Sequence, residues 1–360
     1  MTPLLVDARP IEHPTAKGRG IGRWTAGVLQ GFHDAGIDAW GLAGSLPEAE
    51  AIRAALPGCR IELHGPDAIR RSGARWYVAT GLFLHPLSAD PIPSYITRAR
   101  LGTAAILYDA IPYRFPDVYL RTTSAARQAT LRAALARTVD LTLSISEFSA
   151  RTGIETLGLR PDRVVSVGSG VAAIFRSEPR SPRSVAASAL GTSQPYIVTV
   201  TGGDEHKNTR RLIQAWAALP AAARGDRVLA VTGQVHPNVV DHWREWAQDA
   251  GCADRTVFAR ALSDDQLVAV LQHADLAVMP SLEEGFGLPV AEAAACGCPV
   301  VCSAVSSLPE VLDEPSALFD PLDPQDIARA IGTALDDPAV RERLTAAGER
   351  AAMRWRWPAV

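Results

Sequence analysis

The sequence is poor in lysine and has no long apolar stretch. Only Lys17 and Lys207 are lysines among its 36 basic residues, so nearly every cation is an arginine. No apolar run reaches the roughly 20 residues of a membrane span, because proline and charged residues interrupt every candidate. The first ten residues also lack a basic leader followed by an apolar stretch, so no secretory signal is expected. These absences predict a cytoplasmic protein.

Cysteine is scarce too, and its spacing argues against a metal site. Cys296, Cys298 and Cys302 follow a C-x-C-x3-C pattern, without the paired C-x2-C knuckles of a zinc site. No hydrophobically flanked D-x-D motif is present, since the acidic pairs at 264–265 and 336–337 stand in polar contexts typical of helix caps. We therefore expect no bound metal, and we expect the three cysteines to be buried packing residues.

Length and charge define the broad class. The 360 residues exceed what one hydrophobic core usually serves, so two domains are expected. Residues 1–180 hold 21 Lys and Arg against 16 Asp and Glu, whereas residues 181–360 hold 15 against 23. The positive first half fits an acidic acceptor or an anionic membrane surface, and a solvated basic face is the alternative interpretation. Nothing in the sequence indicates nucleic-acid binding.

Apolar runs alternate with helical patterns along both halves, which is typical of α/β domains. Short apolar runs predict strands at 4–6, 75–80, 104–108, 141–145, 164–167, 196–200, 227–232, 256–259, 275–279 and 299–302. Residues 177–194 are rich in Ser, Ala and Pro and lack a clear apolar period, which predicts a linker. The expected domains are therefore residues 1–176 and residues 195–360.

The most informative passage is residues 280–293. A predicted strand leads into the glycine-rich turn 285–287, and Pro289 stands where the first turn of a helix is expected. Free N–H groups at such a helix start, together with the helix dipole, attract an anionic or hydroxyl-rich ligand. Glu284 and Glu292 flank the turn, and a carboxylate can accept two hydroxyl hydrogen bonds at once. This arrangement suits a ligand with both phosphates and sugar hydroxyls, as a nucleotide-sugar has.

This passage resembles the retaining glycosyltransferases of the GT-B class, specifically family 4 (glycosyl transferases group 1) and its bacterial mannosyltransferase-like branch. Their signature is E-x7-E within E-G-F-G-L-P-x-x-E-A, and the likeness continues through 295–303 and 307–311. The resemblance implies an α/β GT-B fold, with two Rossmann-like α/β/α domains whose parallel sheets face an interdomain cleft. The N-terminal domain would bind the acceptor and the C-terminal domain the nucleotide-sugar donor.

Members of the family usually end with a helix that crosses back to the N-terminal domain. Residues 352–360 reach that point and stop, so this crossover helix is expected to be missing. A truncated chain and a protein without the brace are the two interpretations.

By resemblance, Glu284 contacts hydroxyls of the donor sugar and Glu292 contacts the ribose, while backbone N–H groups of the turn cradle sugar or phosphate oxygens. The full set of expected donor-binding residues is Gly20, Gly22, Lys207, Glu284, Gly285, Phe286, Gly287, Leu288 and Glu292. The alternative is an exposed helix start, where the dipole favours acidic side chains. That alternative accounts for Glu283 but not for the whole motif.

A glycine-rich loop at residues 17–23 follows the first predicted strand. Gly18, Gly20 and Gly22 would let backbone approach a ligand closely, although the spacing is not the G-x-G-x-x-G of dinucleotide-binding proteins. In the family this loop faces the donor pyrophosphate and the acceptor. The resemblance therefore implies that Gly20 and Gly22 are donor contacts.

A second such loop, residues 200–208, resembles the family's glycine-rich loop that ends in K-N. Lys207 would reach the donor diphosphate and neutralise the charge that grows as the nucleoside diphosphate leaves. An ordinary surface lysine is the alternative. Many members carry an arginine a few residues earlier, where this chain has residues 201–203, so the second cation is missing or is supplied by Arg19 or Arg23.

A third candidate segment, L-Y-D-A-I-P at residues 107–112, ends a predicted strand, where open α/β sheets place ligands. Related enzymes carry His-Asp at this point, and Tyr108 here replaces the histidine. Asp109 is expected on the catalytic face, orienting the acceptor hydroxyl, and a turn or helix-capping role is the alternative. The expected catalytic residues are thus Lys207, Glu284 and Asp109.

The function that follows from the resemblance is retaining hexosyl transfer. The donor would be a nucleotide-sugar, with mannose as the sugar, and the acceptor a saccharide or lipid-linked saccharide of a bacterial surface glycan. No cofactor or metal is expected, and front-face substitution would need positioning and charge stabilisation rather than an enzyme nucleophile. Peripheral membrane association would accompany a lipid-linked acceptor. The alternative is a catalytically degenerate relative that serves as a binding or scaffolding subunit.

Overall fold

A computed structural model describes residues 2–14, 16–17, 20–84 and 90–360 of the chain. The chain forms two compact units. The first comprises Met1–Gly170 and Trp357–Val360, and the second comprises Val171–Arg356. None of the helices in the described part is long and apolar enough to cross a bilayer.

The first unit is built on a parallel sheet of seven strands in the order β3-β2-β1-β4-β5-β6-β7. Its strands are β1 (Leu4–Asp7), β2 (Ala39–Ala43), β3 (Arg60–Leu63), β4 (Trp76–Ala79), β5 (Gly102–Leu107), β6 (Leu141–Ser144) and β7 (Val164–Ser166). Its helices are α1 (Gly20–Asp34), α2 (Leu46–Ala55), α3 (Pro66–Ser72), α4 (Ser94–Arg98), α5 (Ile111–Arg114), α6 (Pro116–Tyr119), α7 (Thr123–Ala136) and α8 (Glu147–Leu157). The sheet core is formed by fully buried side chains such as Leu5, Leu42, Tyr77 and Leu107.

The second unit has a parallel sheet of six strands in the order β10-β9-β8-β11-β12-β13. Its strands are β8 (Tyr196–Val200), β9 (Val228–Gly233), β10 (Thr256–Arg260), β11 (Leu276–Met279), β12 (Val300–Ser303) and β13 (Leu318–Phe319). Its helices are α9 (Arg183–Leu190), α10 (Thr209–Ala218), α11 (Ala221–Arg224), α12 (Pro237–Asp249), α13 (Asp264–His273), α14 (Leu288–Ala295), α15 (Leu308–Leu312), α16 (Pro324–Asp336) and α17 (Pro338–Arg354).

Both sheets wind outward from their first strand and then reverse direction. In the first unit the reversal lies between β1 and β4, and in the second it lies between β8 and β11. This strand order is that of Rossmann-type folds, which bind ligands beyond the carboxyl ends of the strands at the reversal, called the topological switch point. The predicted fold class, two Rossmann-like α/β domains with parallel sheets of the GT-B type, is confirmed.

The end of the chain returns to the first unit after α17. Trp357 packs against three glycines, and its ring meets Trp24 edge-on at a centroid distance of 5.7 Å. A Cβ built on Gly27 would lie 2.2 Å from the Trp357 Nε1, and one built on Gly170 would lie 2.4 Å from its ring. The returning segment is a single 3-10 turn, Trp357–Ala359, rather than a long helix.

The expected linker, residues 177–194, lies inside the second unit and contains α9. Only Ala186 and Leu190 of this helix are buried. Two buried positions are too few to give the apolar periodicity by which a helix is predicted from sequence. Strands β2, β3 and β13 were also not anticipated. Each has at most five residues, and β3 carries Arg60 and Glu62 along a sheet edge.

Candidate nucleotide-sugar site

The turn between β11 and α14 forms the centre of the candidate site. All four residues of β11 are buried, and α14 begins directly after Gly287. Gly287 has φ near 100°, and a Cβ built there would lie 2.4 Å from Leu308 Cδ2. Both the left-handed backbone and the close approach of Leu308 therefore require glycine at this position.

Glu284 lies in this turn and is held by three side chains. Lys207 Nζ donates to both of its carboxylate oxygens, at 2.7 and 3.0 Å, and Ser281 Oγ donates to one of them at 2.6 Å. Its backbone N–H donates to Ser306 Oγ at 3.1 Å. The Lys207 side chain is 21% exposed and that of Glu284 13% exposed. The structure thus brings together two of the predicted catalytic residues, which are 77 positions apart.

The loop that carries Lys207 is fastened to the strand ends by its neighbour. Asn208 adopts the left-handed conformation, with φ near 58°, and its Nδ2 donates to the carbonyls of Pro280 and Pro321 at 2.9 and 2.7 Å. Leu282 N donates to the His206 carbonyl at 2.7 Å. Asparagine tolerates the left-handed region better than most residues, which accounts for it at this point of the K-N sequence.

Charges in this cluster favour an ionised carboxylate and a neutral histidine. Burial alone raises the pKa of Glu284, but the Lys207 ammonium, His206 and the hydrogen bonds from Lys207 and Ser281 bring it below its ordinary value. Burial lowers the pKa of His206, and the nearby Lys207 charge lowers it further. At neutral pH the cluster therefore consists of one cation, one anion and an uncharged imidazole.

Backbone donors line the same turn. Within the described part of the chain, no group accepts a hydrogen bond from the N–H of Phe286, Gly287 or Leu288. The Phe286 side chain is 3% exposed and packs edge-on against Trp355, so only its backbone is available to a ligand. Ser307 Oγ donates to the carbonyls of Glu284 and Phe286 at 3.0 and 2.8 Å and fixes the curve of the turn.

Glu292 lies in the second turn of α14 and is 6% exposed. Burial and the Glu292 charge together raise the pKa of the Cys296 thiol to about 12. Glu283 is 2% exposed, so the interpretation of it as an acid on an exposed helix start was wrong. Glu283 also precedes the helix, since α14 begins five residues later, at Leu288.

Three serines and Asn208 hold the site but were not anticipated as site residues. Ser281, Ser306 and Ser307 all act through hydroxyl hydrogen bonds to the turn. Their positions next to the ends of β11 and β12 were visible in the sequence. A serine is so common in loops that this signal alone could not select them.

The remaining predicted residues lie in the first unit. Gly20 begins α1, and a Cβ there would meet no heavy atom of the described residues within 4 Å. A Cβ on Gly22 would lie 2.4 Å from the Ala16 carbonyl oxygen, so a close backbone contact explains this glycine. Asp109 Oδ1 accepts from Ile111 N at 3.0 Å, which is the turn role given above as its alternative. Gly18 and Arg19 lie outside the described residues.

Cysteine and metal chemistry can be judged for the described residues. All five cysteines are free thiols, and Cys296, Cys298 and Cys302 are buried as expected. Burial raises the pKa of Cys302 to about 12, so its thiol stays protonated. The described residues contain no group of three or more His, Cys, Asp or Glu side chains that could hold a metal ion. Metal independence itself stays a prediction.

The second unit thus carries a lysine, a carboxylate and a glycine-rich helix start at the switch point of a Rossmann-type sheet, a combination suited to a ligand with phosphates. Residues 181–351 match the family described as glycosyl transferases group 1. Over these residues, just under half of its length, the chain is similar to this family.

Two relatives illustrate the resemblance at the sequence level. The chain is 30% identical over 258 residues to the serotype-specific mannosyltransferase WbdA of Escherichia coli, a match that covers 71% of this chain and 32% of WbdA. It is 32% identical over 232 residues to the O-antigen chain mannosyltransferase B of Escherichia coli, covering 60% of this chain and 57% of that protein. The chain therefore spans about a third of the first relative and little more than half of the second.

Solved structures show the same fold at low sequence identity. The Anabaena protein Alr3699/HepE, determined with UDP and glucose, superposes with a TM-score of 0.72 at 18% identity, covering 99% of this chain and 96% of that one. A sucrose-phosphate synthase from Thermosynechococcus elongatus gives the same TM-score and identity, covering 100% and 96%. At this identity the likeness extends to the fold alone.

Proposed function

We propose that the chain is a retaining hexosyltransferase that transfers mannose from a nucleotide-sugar to a saccharide or lipid-linked saccharide acceptor in bacterial surface glycan synthesis. The observation that carries this proposal is the pair of Lys207 and Glu284 beside the N-terminus of α14. The mannosyltransferases among the relatives support mannose as the sugar, and their names support a surface glycan as the product.

When the donor binds, Lys207 and Glu284 each give up the other as a partner and bind a group of the donor instead. A diphosphate attracts the Lys207 ammonium, and the sugar hydroxyls then donate to the oxygens of Glu284 that the lysine has left. The free N–H groups of Phe286, Gly287 and Leu288 and the dipole of α14 add positive potential for phosphate or sugar oxygens. Glu292 binds the ribose hydroxyls on this proposal.

Catalysis then depends on charge and position rather than on a protein nucleophile. As the bond between the sugar and the phosphate breaks, negative charge grows on the leaving diphosphate, and Lys207 is the cation placed to stabilise it. The leaving diphosphate accepts the proton of the attacking acceptor hydroxyl, and the acceptor enters on the face that the diphosphate leaves. Asp109 orients that hydroxyl, and neither a metal nor a cofactor takes part.

A lipid-linked acceptor would bring the chain to the inner face of the membrane. The excess of basic residues in residues 1–180 supports this association, because anionic lipid attracts a positive surface. Co-sedimentation with vesicles of phosphatidylglycerol against vesicles of phosphatidylcholine tests it. Equal recovery of protein with both would contradict an electrostatic association.

A thermal-shift panel tests the donor site first. GDP, UDP, ADP and dTDP and their common sugar conjugates are added to wild type, to Lys207→Ala and to the control Arg244→Ala. Arg244 pairs with Asp241 on the exposed face of α12. We expect one nucleotide to raise the Tm of wild type and of the control but not of Lys207→Ala. No shift with any nucleotide would favour the degenerate binding subunit instead.

The stereochemical part of the proposal needs a separate measurement. With the donor identified, the anomeric proton of the first product formed is followed by NMR. A product with the anomeric configuration of the donor supports retention, and the opposite anomer contradicts it.

A further inference from the structure

Helix α7 places an arginine inside the first unit. The inward face of α7 is formed by Ala129, Arg132, Ala133 and Ala136, and Arg132 is only 6% exposed. One of its terminal nitrogens, Nη2, donates to Gln128 Oε1 at 3.0 Å. Its Nε is buried and finds no acceptor among the described residues. Burial lowers the pKa of Arg132, as expected for a cation that has lost water.

The first unit contains a second, partly buried arginine for comparison. Arg9 Nε and Nη2 donate to the two carboxylate oxygens of Asp7, at 2.7 and 2.9 Å. Arg132 has a neutral amide oxygen in place of a carboxylate, within the described part of the first unit. A buried charge destabilises the folded state unless an opposite charge and hydrogen bonds compensate it. The folded chain alone therefore does not satisfy this guanidinium.

The position of Arg132 relates it to the loop that follows β5. Tyr113, in α5, donates from its hydroxyl to the Ala129 carbonyl at 2.8 Å, which fixes α5 against the inward face of α7. Burial raises the pKa of Tyr113 to about 12, while the Arg132 charge lowers it and the Asp109 charge raises it. Because α5 follows the carboxyl end of β5, the hydrogen bond to Ala129 places Tyr113 and the inward face of α7 next to the loop at the edge of the parallel sheet where such folds bind ligands.

We propose that Arg132 binds an anionic oxygen group of the acceptor, a phosphate or a carboxylate, beside the loop that follows β5. A guanidinium presents parallel N–H donors that match two oxygens of either group, and a site that excludes water strengthens that pairing. The inference rests on the proposed function, because only a transferase needs an acceptor. It narrows the acceptor from any saccharide to one that carries a negative charge near the hydroxyl that reacts.

The anion itself serves as the probe. Inorganic phosphate and malonate, each against chloride at matched ionic strength, are added to Lys207→Ala, in which the donor-site cation is absent. We expect phosphate, malonate or both to raise the Tm by about 2 °C at saturating concentration. The double variant Lys207→Ala/Arg132→Gln should lose that rise. General stabilisation by phosphate as a salt acts on both proteins and cancels in the comparison.

Control variants separate binding from a purely structural role. Arg160→Gln, which removes an exposed arginine paired with Asp162 in the same unit, should keep the whole anion-dependent rise. Arg132→Lys retains the positive charge but lacks the parallel N–H donors, so it should show part of the anion-dependent rise in Tm. Without anion, Arg132→Gln should melt at the same temperature as its parent or higher, because an uncompensated buried charge is gone.

Two results would overturn the proposal. One is an Arg132→Gln protein that melts lower without anion and still shows the full anion-dependent rise, since Arg132 would then serve packing. The other is the absence of any rise with either anion in Lys207→Ala. The nucleotide panel on Arg132→Gln keeps the two proposals apart. A nucleotide shift that persists there while the anion effect fails leaves the transferase proposal standing.

Discussion

The two units have the same strand order around their switch points, and each places an ion pair there. In the first unit Asp7 ends β1, and Thr80, which follows β4, donates its hydroxyl to the Asp7 carbonyl. In the second unit Lys207 follows β8 and Glu284 follows β11. Asp7 and Arg9 are 1% and 17% exposed, whereas Glu284 and Lys207 are 13% and 21% exposed, so the main difference lies in the acid. The pairs occupy equivalent places but differ in how completely they are enclosed.

In the first unit, both carboxylate oxygens of Asp7 already accept hydrogen bonds from within the chain. Arg9, two residues away, covers both carboxylate oxygens, and its backbone N–H donates to one of them at 3.2 Å. His64 Nε2 lies 3.5 Å from the same oxygen. Burial alone raises the pKa of Asp7, but His64 and Arg9 bring it below its ordinary value. A ligand would have to displace a rigid bidentate arginine, so this pair serves stability.

The pair of the second unit is easier to exchange. Lys207 is a point charge on a flexible stem: Asn208 fastens the loop that carries it, and its ammonium is held by the hydrogen bonds that it donates to Glu284. A diphosphate can take the ammonium while sugar hydroxyls take the carboxylate. One strand order therefore supports both a structural pair and an exchangeable one, and the choice of arginine or lysine separates them.

The largest effect is expected where the enclosed pair is broken. Asp7→Asn leaves the partly buried Arg9 without its anion, which should lower the free energy of unfolding by about 3 kcal/mol. Urea denaturation measures it. The exposed Asp162→Asn, which loses a pair with Arg160, should cause no measurable change. If Asp7→Asn kept wild-type stability, the distinction between the two pairs would be lost.

Breaking the exchangeable pair should change function more than stability. Glu284→Gln keeps the shape of the side chain but removes its charge, and we expect kcat/KM for the sugar nucleotide to fall about 10–100-fold, the worth of a hydrogen bond to a charged group. Binding of the free nucleoside diphosphate should be weakened much less. Glu349→Gln, on the exposed face of α17, is the control. Equal losses for conjugate and nucleotide would exclude a contact with the sugar.

The turn that presents Glu284 can be tested at its glycine. Gly287→Ala forces a Cβ against Leu308 with a backbone that alanine avoids, which should cost about 2 kcal/mol of stability and weaken nucleotide binding. Gly20→Ala, at the start of α1, would meet no heavy atom of the described residues within 4 Å and should leave stability unchanged or slightly higher. Adding Leu308→Ala to Gly287→Ala should restore only the part of the lost stability that is due to the clash with Leu308. Full recovery would mean that the backbone conformation is not strained.

More of the second unit than of the first could be predicted from the sequence. The motif at residues 280–293 combines a buried strand, a glycine with a required conformation and two acids, so the turn and Glu284 could be anticipated, although the ion pair between Glu284 and Lys207 was not. The Asp7 and Arg9 pair could not, because an Asp and an Arg two residues apart are common on any surface. In the folded chain Asp7 also contacts His64 and Thr80. Both residues are distant from it in the sequence, so this environment could not be predicted.

The smallest expected effect is a difference between the two ion pairs in how stability depends on pH. The pKa of Asp7 is lowered in the folded chain, so its contribution to stability is complete above its ordinary value of 3.8 and is lost as the pH falls through the folded value. The pKa of His206 is lowered from 6.5, so the unfolded chain takes up a proton first and stability falls as the pH drops below about 6.5. Lys207, Asp204 and Glu284 are the charges that act on this imidazole.

Urea midpoints between pH 7.5 and pH 3.5 test that order. Relative to wild type, His206→Gln should lose less stability between pH 6.5 and pH 5, since it has no imidazole to protonate. Asp7→Asn should stay well below wild type across that range, and the difference should narrow only near pH 4 and below. Parallel curves for His206→Gln and wild type would show that the second switch point does not sense mild acid. In that case the exchangeable pair would be as well shielded from proton uptake as the enclosed one.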